Sequence, residues 1–149
     1  MNEHSSDNRS KMVIFAKKHR TLIIILTFIF FIIIGGCTFP IYNLNRKWST
    51  TLTISIFAST IATYGFLGTV ETQLFPNAKI YHIIPLNLVL IMLSMIFRYF
   101  LEFGEVSNTY NFTMTNIILH VAATLIISIS FWRKVALQKD WFSINTGNI

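Results

Sequence analysis

From Thr21 to Asn45 the chain runs for roughly 25 residues without a charged side chain, long enough to cross a hydrocarbon core of ~30 Å as a helix. Its centre reads Leu22-Ile23-Ile24-Ile25-Leu26-Thr27-Phe28-Ile29-Phe30-Phe31-Ile32-Ile33-Ile34. The segment is apolar on every face, whereas a helix lying on an aqueous core keeps one polar face. Lys17, Lys18 and Arg20 stand just before it as a basic anchor. The stretch predicts a membrane protein. Composition agrees: of 149 residues 53% are hydrophobic and 12% charged, well below the charge of a soluble domain.

Three further apolar stretches follow, so the expected fold is all-α, a polytopic membrane protein with spans at about 21–42, 50–72, 80–101 and 112–132. Residues 1–20 form a basic N-terminal segment, in which Met1 to Lys11 is too polar to order itself and Met12 to Arg20 is an amphipathic lead-in. Residues 133–149 read as a short amphipathic or frayed tail. Ile34-Gly35-Gly36-Cys37 resembles a lipoprotein cleavage box, but the basic region is long and three spans follow, so the first span is expected to be retained. Gly35-Gly36, with Pro40 after them, suit a helix terminus.

The connections are short, which makes successive helices antiparallel neighbours. Arg9, Lys11, Lys17, Lys18, Arg20, Lys79, Arg133, Lys134 and Lys139 then fall on one side, and Arg46, Lys47 and Arg98 on the other. That imbalance puts both termini in the cytoplasm. It also makes the net charge of +6 an orientation signal rather than a nucleic-acid patch, so no nucleic-acid partner is expected. The lone Cys37 forbids an intramolecular disulfide.

The second span carries Ser55, Ala58, Ser59, Ala62, Gly65 and Thr69 at spacings of three and four. Such a ribbon of small residues lets helix backbones approach closely, and it marks this helix as the one most surrounded by protein. In the third span Asn87, Ser94 and Arg98 lie near a common face, and Glu102 follows Arg98 at i+4. Arg98, Glu102 and Glu105 read either as an interfacial ion pair or as a recognition patch on the outer side. The fourth span bears Asn116, His120, Thr124 and Ser128, each four apart, a polar stripe that must face protein or water. It either hydrogen-bonds Asn87 or the small-residue ribbon, or lines a proton or solute path.

Chemistry is sparse. His82 reads as interfacial and His120 as about 12 Å inside at 1.5 Å per residue, so no shared metal or haem site is expected and no cofactor is implied. No catalytic motif occurs, and the chain reads as a non-enzyme. Glu71 sits at the end of its helix, and the spans offer no carboxylate near mid-membrane of the kind a proton-coupled exporter needs.

The opening Met1-Asn2-Glu3-His4-Ser5, followed by Asp7-Asn8-Arg9, resembles the N-terminus of immunity proteins against pore-forming colicins, over about eight residues. Those are small inner-membrane proteins of three or four spans with short loops. The resemblance implies a bacterial inner-membrane location and packing against the inserting helices of a toxin. Taken with the residues, the expected function is non-enzymatic helix–helix recognition of a transmembrane partner or inserted toxin helices within the lipid bilayer, with oligomerisation left open. The alternative is a small channel or transporter, or an accessory subunit of a larger membrane complex.

Overall fold

The computed structural model describes residues 3–39 and 50–146. Those residues form α1 (Glu3–Lys18), α2 (Arg20–Cys37), α3 (Thr50–Leu74), α4 (Ile80–Leu101), α5 (Val106–Asn111) and α6 (Met114–Thr146). Contacts divide the chain into two compact units, residues 1–30 and 31–149. Among the described residues four helices are long and apolar enough to cross a membrane, at Arg20–Cys37, Thr53–Leu74, Ile80–Leu101 and Met114–Lys139.

Within residues 1–30, the N-terminal segment is helical from Glu3, not the unordered run its polarity suggested. The i→i−4 ladder carries past His19: its N–H donates to the Phe15 carbonyl at 3.0 Å, and the Ile23 N–H donates to the His19 carbonyl at 3.0 Å. Polarity argues against a packed core, but it does not forbid a solvated helix propagating from an apolar neighbour.

In the larger unit α6 packs against α3 and against α4. The α3–α6 contact is close because Gly68 has no side chain: a Cβ there would overlap the Ser128 carbonyl oxygen and approach the Trp132 nitrogen to 3.0 Å. Gly35 and Gly36 lie in the last turn of α2, which ends at Cys37 beside them. Their role is close approach to α4, since a Cβ on Gly36 would stand 2.9 Å from the Ser94 carbonyl oxygen. The rest of the first expected span, 40–42, and the connection to the second lie outside the described residues.

The third span matches its expected limits at Ile80–Leu101. The fourth does not stop at Trp132, because α6 continues as helix to Thr146 and takes in most of the expected tail. The segment between α4 and α6, read as a polar connection, turns at Gly104 (φ 82°) and forms α5. That backbone angle favours glycine.

The distribution of polarity is inverted relative to a water-soluble domain. Ile54, Phe57, Ile61, Phe66, Val89, Met92, Ile96, Ile118 and Ile126 are exposed, while Glu71, Asn87, His120, Thr124 and Ser128 are wholly buried. Apolar surface outside and polar groups inside fit a hydrocarbon solvent.

Candidate functional site

The polar stripe of α6 is inward over its whole length: Asn116, His120, Thr124 and Ser128 are all buried. At its lower end three helices meet. The Asn87 side-chain amide donates from Nδ2 to Ser128 Oγ at 3.0 Å and to Glu71 Oε2 at 3.3 Å. Ser128 can accept because its own hydroxyl donates to the Leu125 carbonyl at 3.1 Å, leaving a lone pair toward α4. Asn87 thus ties α3, α4 and α6 together from one side chain.

Glu71 is more enclosed than its place at a helix end suggested. It lies one turn from the end of α3, as expected, yet none of it is exposed. Position along a helix gives depth only, and the burial comes from α4 and α6 closing over it. A carboxyl group is therefore buried at the end of a candidate span, where the sequence placed it in depth but did not show it enclosed. Asn87 reaches only its Oε2, and Oε1 meets no hydrogen-bond partner among the described residues.

His120 is also wholly buried, but the hydrogen bond expected between the stripe and Asn87 is made by Ser128 and not by its ring. Its ring lies edge-on to Phe39 at 4.7 Å and to Tyr64 at 5.9 Å. Its carbonyl accepts from Thr124 Oγ1 at 2.6 Å, so Thr124 is satisfied along its own helix. An aromatic cage packs the imidazole faces and leaves both ring nitrogens without a hydrogen-bond partner among the described residues.

A second polar cluster lies where α4 gives way to α5. Arg98 Nη2 meets Glu102 Oε1 at 2.6 Å, and Arg98 Nη1 donates to the Gly36 carbonyl at 3.3 Å. Asn111 Nδ2 donates to the other Glu102 oxygen at 3.4 Å, and Asn108 Nδ2 to the Glu102 carbonyl at 2.7 Å. Glu105 stands apart from this cluster, exposed at the start of α5. Arg98→Ala should lower the unfolding free energy in detergent by about 1 kcal/mol, the size of one partly exposed ion pair with a carbonyl contact. A loss above roughly 3 kcal/mol in the same titration would mean the cluster is a buried structural centre instead.

The small-residue ribbon divides. Ser55, Ala58, Ser59 and Ala62 are exposed, and only Gly65 is buried, against the Phe131 ring. The face of α3 turned to the chain's own interior carries Thr60, Tyr64, Leu67, Gly68 and Glu71. At 3.6 residues per turn the two sets lie on nearly opposite sides of the helix. Nor is α3 the most enclosed helix, since α4 has the larger buried share. The two exposed hydroxyls need no partner, because Ser55 donates to the Thr51 carbonyl at 2.9 Å and Ser59 to the Ile56 carbonyl at 3.0 Å.

No family model, curated protein or solved structure matches the chain. Its function must therefore be argued from these residues. Among the described residues no group of three or more His, Cys, Asp or Glu could hold a metal ion. His82 is exposed, and its Nδ1 accepts the Lys79 N–H at 3.3 Å, a local cap at the start of α4.

Proposed function

We propose that this chain is a small multi-pass membrane protein that acts by recognising the transmembrane helices of another protein. The observation that carries the reading is the outward ribbon Ser55-Ala58-Ser59-Ala62 on α3. Lipid tails are as apolar as Leu, so nothing favours an unbranched small face toward lipid. Against another helix the same face allows backbone approach and dispersion contact. The hydroxyls on it are already satisfied, so a partner meets no desolvation cost there.

Four antiparallel spans with cytoplasmic termini are the arrangement we favour. Charge counting supports it. So does the order of contacts: Tyr64 meets His120, Gly68 meets Ser128 and the Thr72 carbonyl meets Lys139, the succession for a second and fourth span running the same way. A bacterial inner membrane and immunity against a pore-forming bacteriocin are the specific form of the reading, resting on the N-terminal resemblance.

Doubly substituting Ala58→Leu and Ala62→Leu should leave folding intact and weaken partner association roughly tenfold, about 1.4 kcal/mol. Crosslinking from Ser59→Cys in membranes of toxin-challenged cells reads the contact, and survival reads the outcome. Expression should protect against one pore-forming toxin and not its relatives. Equal killing of expressing and control cells across a toxin panel would remove the immunity form. An unchanged crosslink in the doubly substituted chain would remove helix recognition through α3.

One observation favours a second reading, a small channel or carrier: Glu71 is buried in the span and held by Asn87. Intramembrane ionisable groups mark ion or solute paths by default. Flux in liposomes that falls on Glu71→Gln would reverse the order of the two readings.

A further inference from the structure

Beside the Glu71–Asn87–Ser128 centre, and separate from the α3 ribbon, a cleft of about 670 Å³ opens where α3 ends, α4 begins and α6 passes. Three cations line it, Lys79, Arg133 and Lys139, together with Thr72, Trp132 and Ala136. Among the described residues no acidic side chain lines it. Like charges converging on one cleft cost free energy unless an anion joins them.

Two features give the cleft a fixed shape. Lys139 Nζ donates to the Thr72 carbonyl at 2.7 Å, pinning the continuation of α6 to the end of α3. Trp132 is largely buried in the wall. The cleft also includes Ile80, the first residue of α4, a helix of 22 residues whose N-terminal end carries partial positive charge. This adds to the field of the side chains.

We infer that the cleft binds the phosphate of an anionic phospholipid. The shared chemistry is a phosphate group, which a soluble phosphate also offers, and location decides between them. The cleft lies at the ends of the candidate spans Thr53–Leu74 and Ile80–Leu101 and beside the end of Met114–Lys139. That is the level of the headgroups if those helices span. Ile80 and Tyr81 beside it are 42% and 61% exposed and offer acyl chains an apolar path out of the cleft. Basic pockets between spans are the usual receptors for such headgroups.

The test uses the full chain in detergent micelles, with native mass spectrometry reading bound lipid. Phosphatidylglycerol should bind in preference to phosphatidylcholine. Each cation is expected to contribute roughly fivefold, so Lys79→Gln, Arg133→Gln and Lys139→Gln together should weaken phosphatidylglycerol binding on the order of a hundredfold. The double variant Lys79→Gln, Arg133→Gln keeps the Lys139–Thr72 bond and should still lose about twenty-fivefold, which guards against misfolding of the triple variant. Lys17→Gln, Lys18→Gln and Arg20→Gln remove the same number of charges elsewhere and should leave binding within about twofold. Equal losses in the two triple variants, or no preference over phosphatidylcholine, would overturn the assignment. Displacement of bound phosphatidylglycerol by millimolar inorganic phosphate would overturn it in favour of a soluble phosphate ligand.

Discussion

Gly68→Ala should destabilise the protein by roughly 3 kcal/mol, measured by unfolding in mixed detergent micelles. The added methyl overlaps the Ser128 carbonyl oxygen, and the Trp132 nitrogen stands 3.0 Å from the same point. Both obstacles are backbone of a 33-residue helix, which cannot rotate out of the way as a side-chain tip can. The contact yields only if α3 and α6 separate, and separation also stretches the Asn87 bridge to Glu71 and Ser128. Gly65→Ala supplies the control within the same helix. The atoms nearest its methyl would be those of the Phe131 ring, at 3.1 Å or more, and that ring can swing because it lies on the exposed side of α6. The control should cost under about 1 kcal/mol, offset by the better helix propensity of alanine. Equal costs at the two positions would mean that α3 and α6 do not pack through Gly68.

What could be read in the chain, and what could not, follows from what each signal measures. α4 was legible to the residue because its apolar run is bounded by the Pro76-Asn77 turn and Lys79 on one side and by Arg98 and Glu102 on the other. The end of α6 was not, because apolarity stops at Trp132 while the backbone ladder does not depend on it. The stripe Asn116-His120-Thr124-Ser128 announced an inward face, since four polar groups on one side of a span are costly toward lipid. The ribbon on α3 announced a packing face by the same kind of spacing, but small size does not say whether the neighbour belongs to this chain. Ser55 and Ala58 turn outward because the bulkier Tyr64 and Leu67 fill the interior with Glu71. Glu71 itself gave no warning. Its partner Asn87 is 16 residues on, across a turn, and the third member, Ser128, is 41 residues beyond that.

Asn87→Leu is the second substitution with a large expected cost, roughly 2–3 kcal/mol in the same unfolding titration. Leucine keeps the branched heavy-atom skeleton and is somewhat larger, so the loss comes from the missing amide and not from a cavity. Removing the amide strands the Glu71 carboxyl group, which is wholly buried, loses the Oε2 bond and already has no partner for Oε1 among the described residues. Ser128 suffers less, since its hydroxyl still donates to the Leu125 carbonyl. The asymmetry yields a sharper expectation for the pair. When both ends of a buried hydrogen bond become apolar, the desolvation penalty disappears with the group that caused it. Glu71→Leu combined with Asn87→Leu should therefore be less destabilised than Asn87→Leu alone, with a coupling free energy of at least about 1 kcal/mol. Hydrogen bonds between membrane helices average less than that, because the separated helices also find partners. A carboxyl group without an alternative partner is the case in which the larger value applies. Strictly additive losses in the cycle would show that Asn87 does not hold Glu71 in the bilayer, and the channel reading would lose the geometry on which it stands.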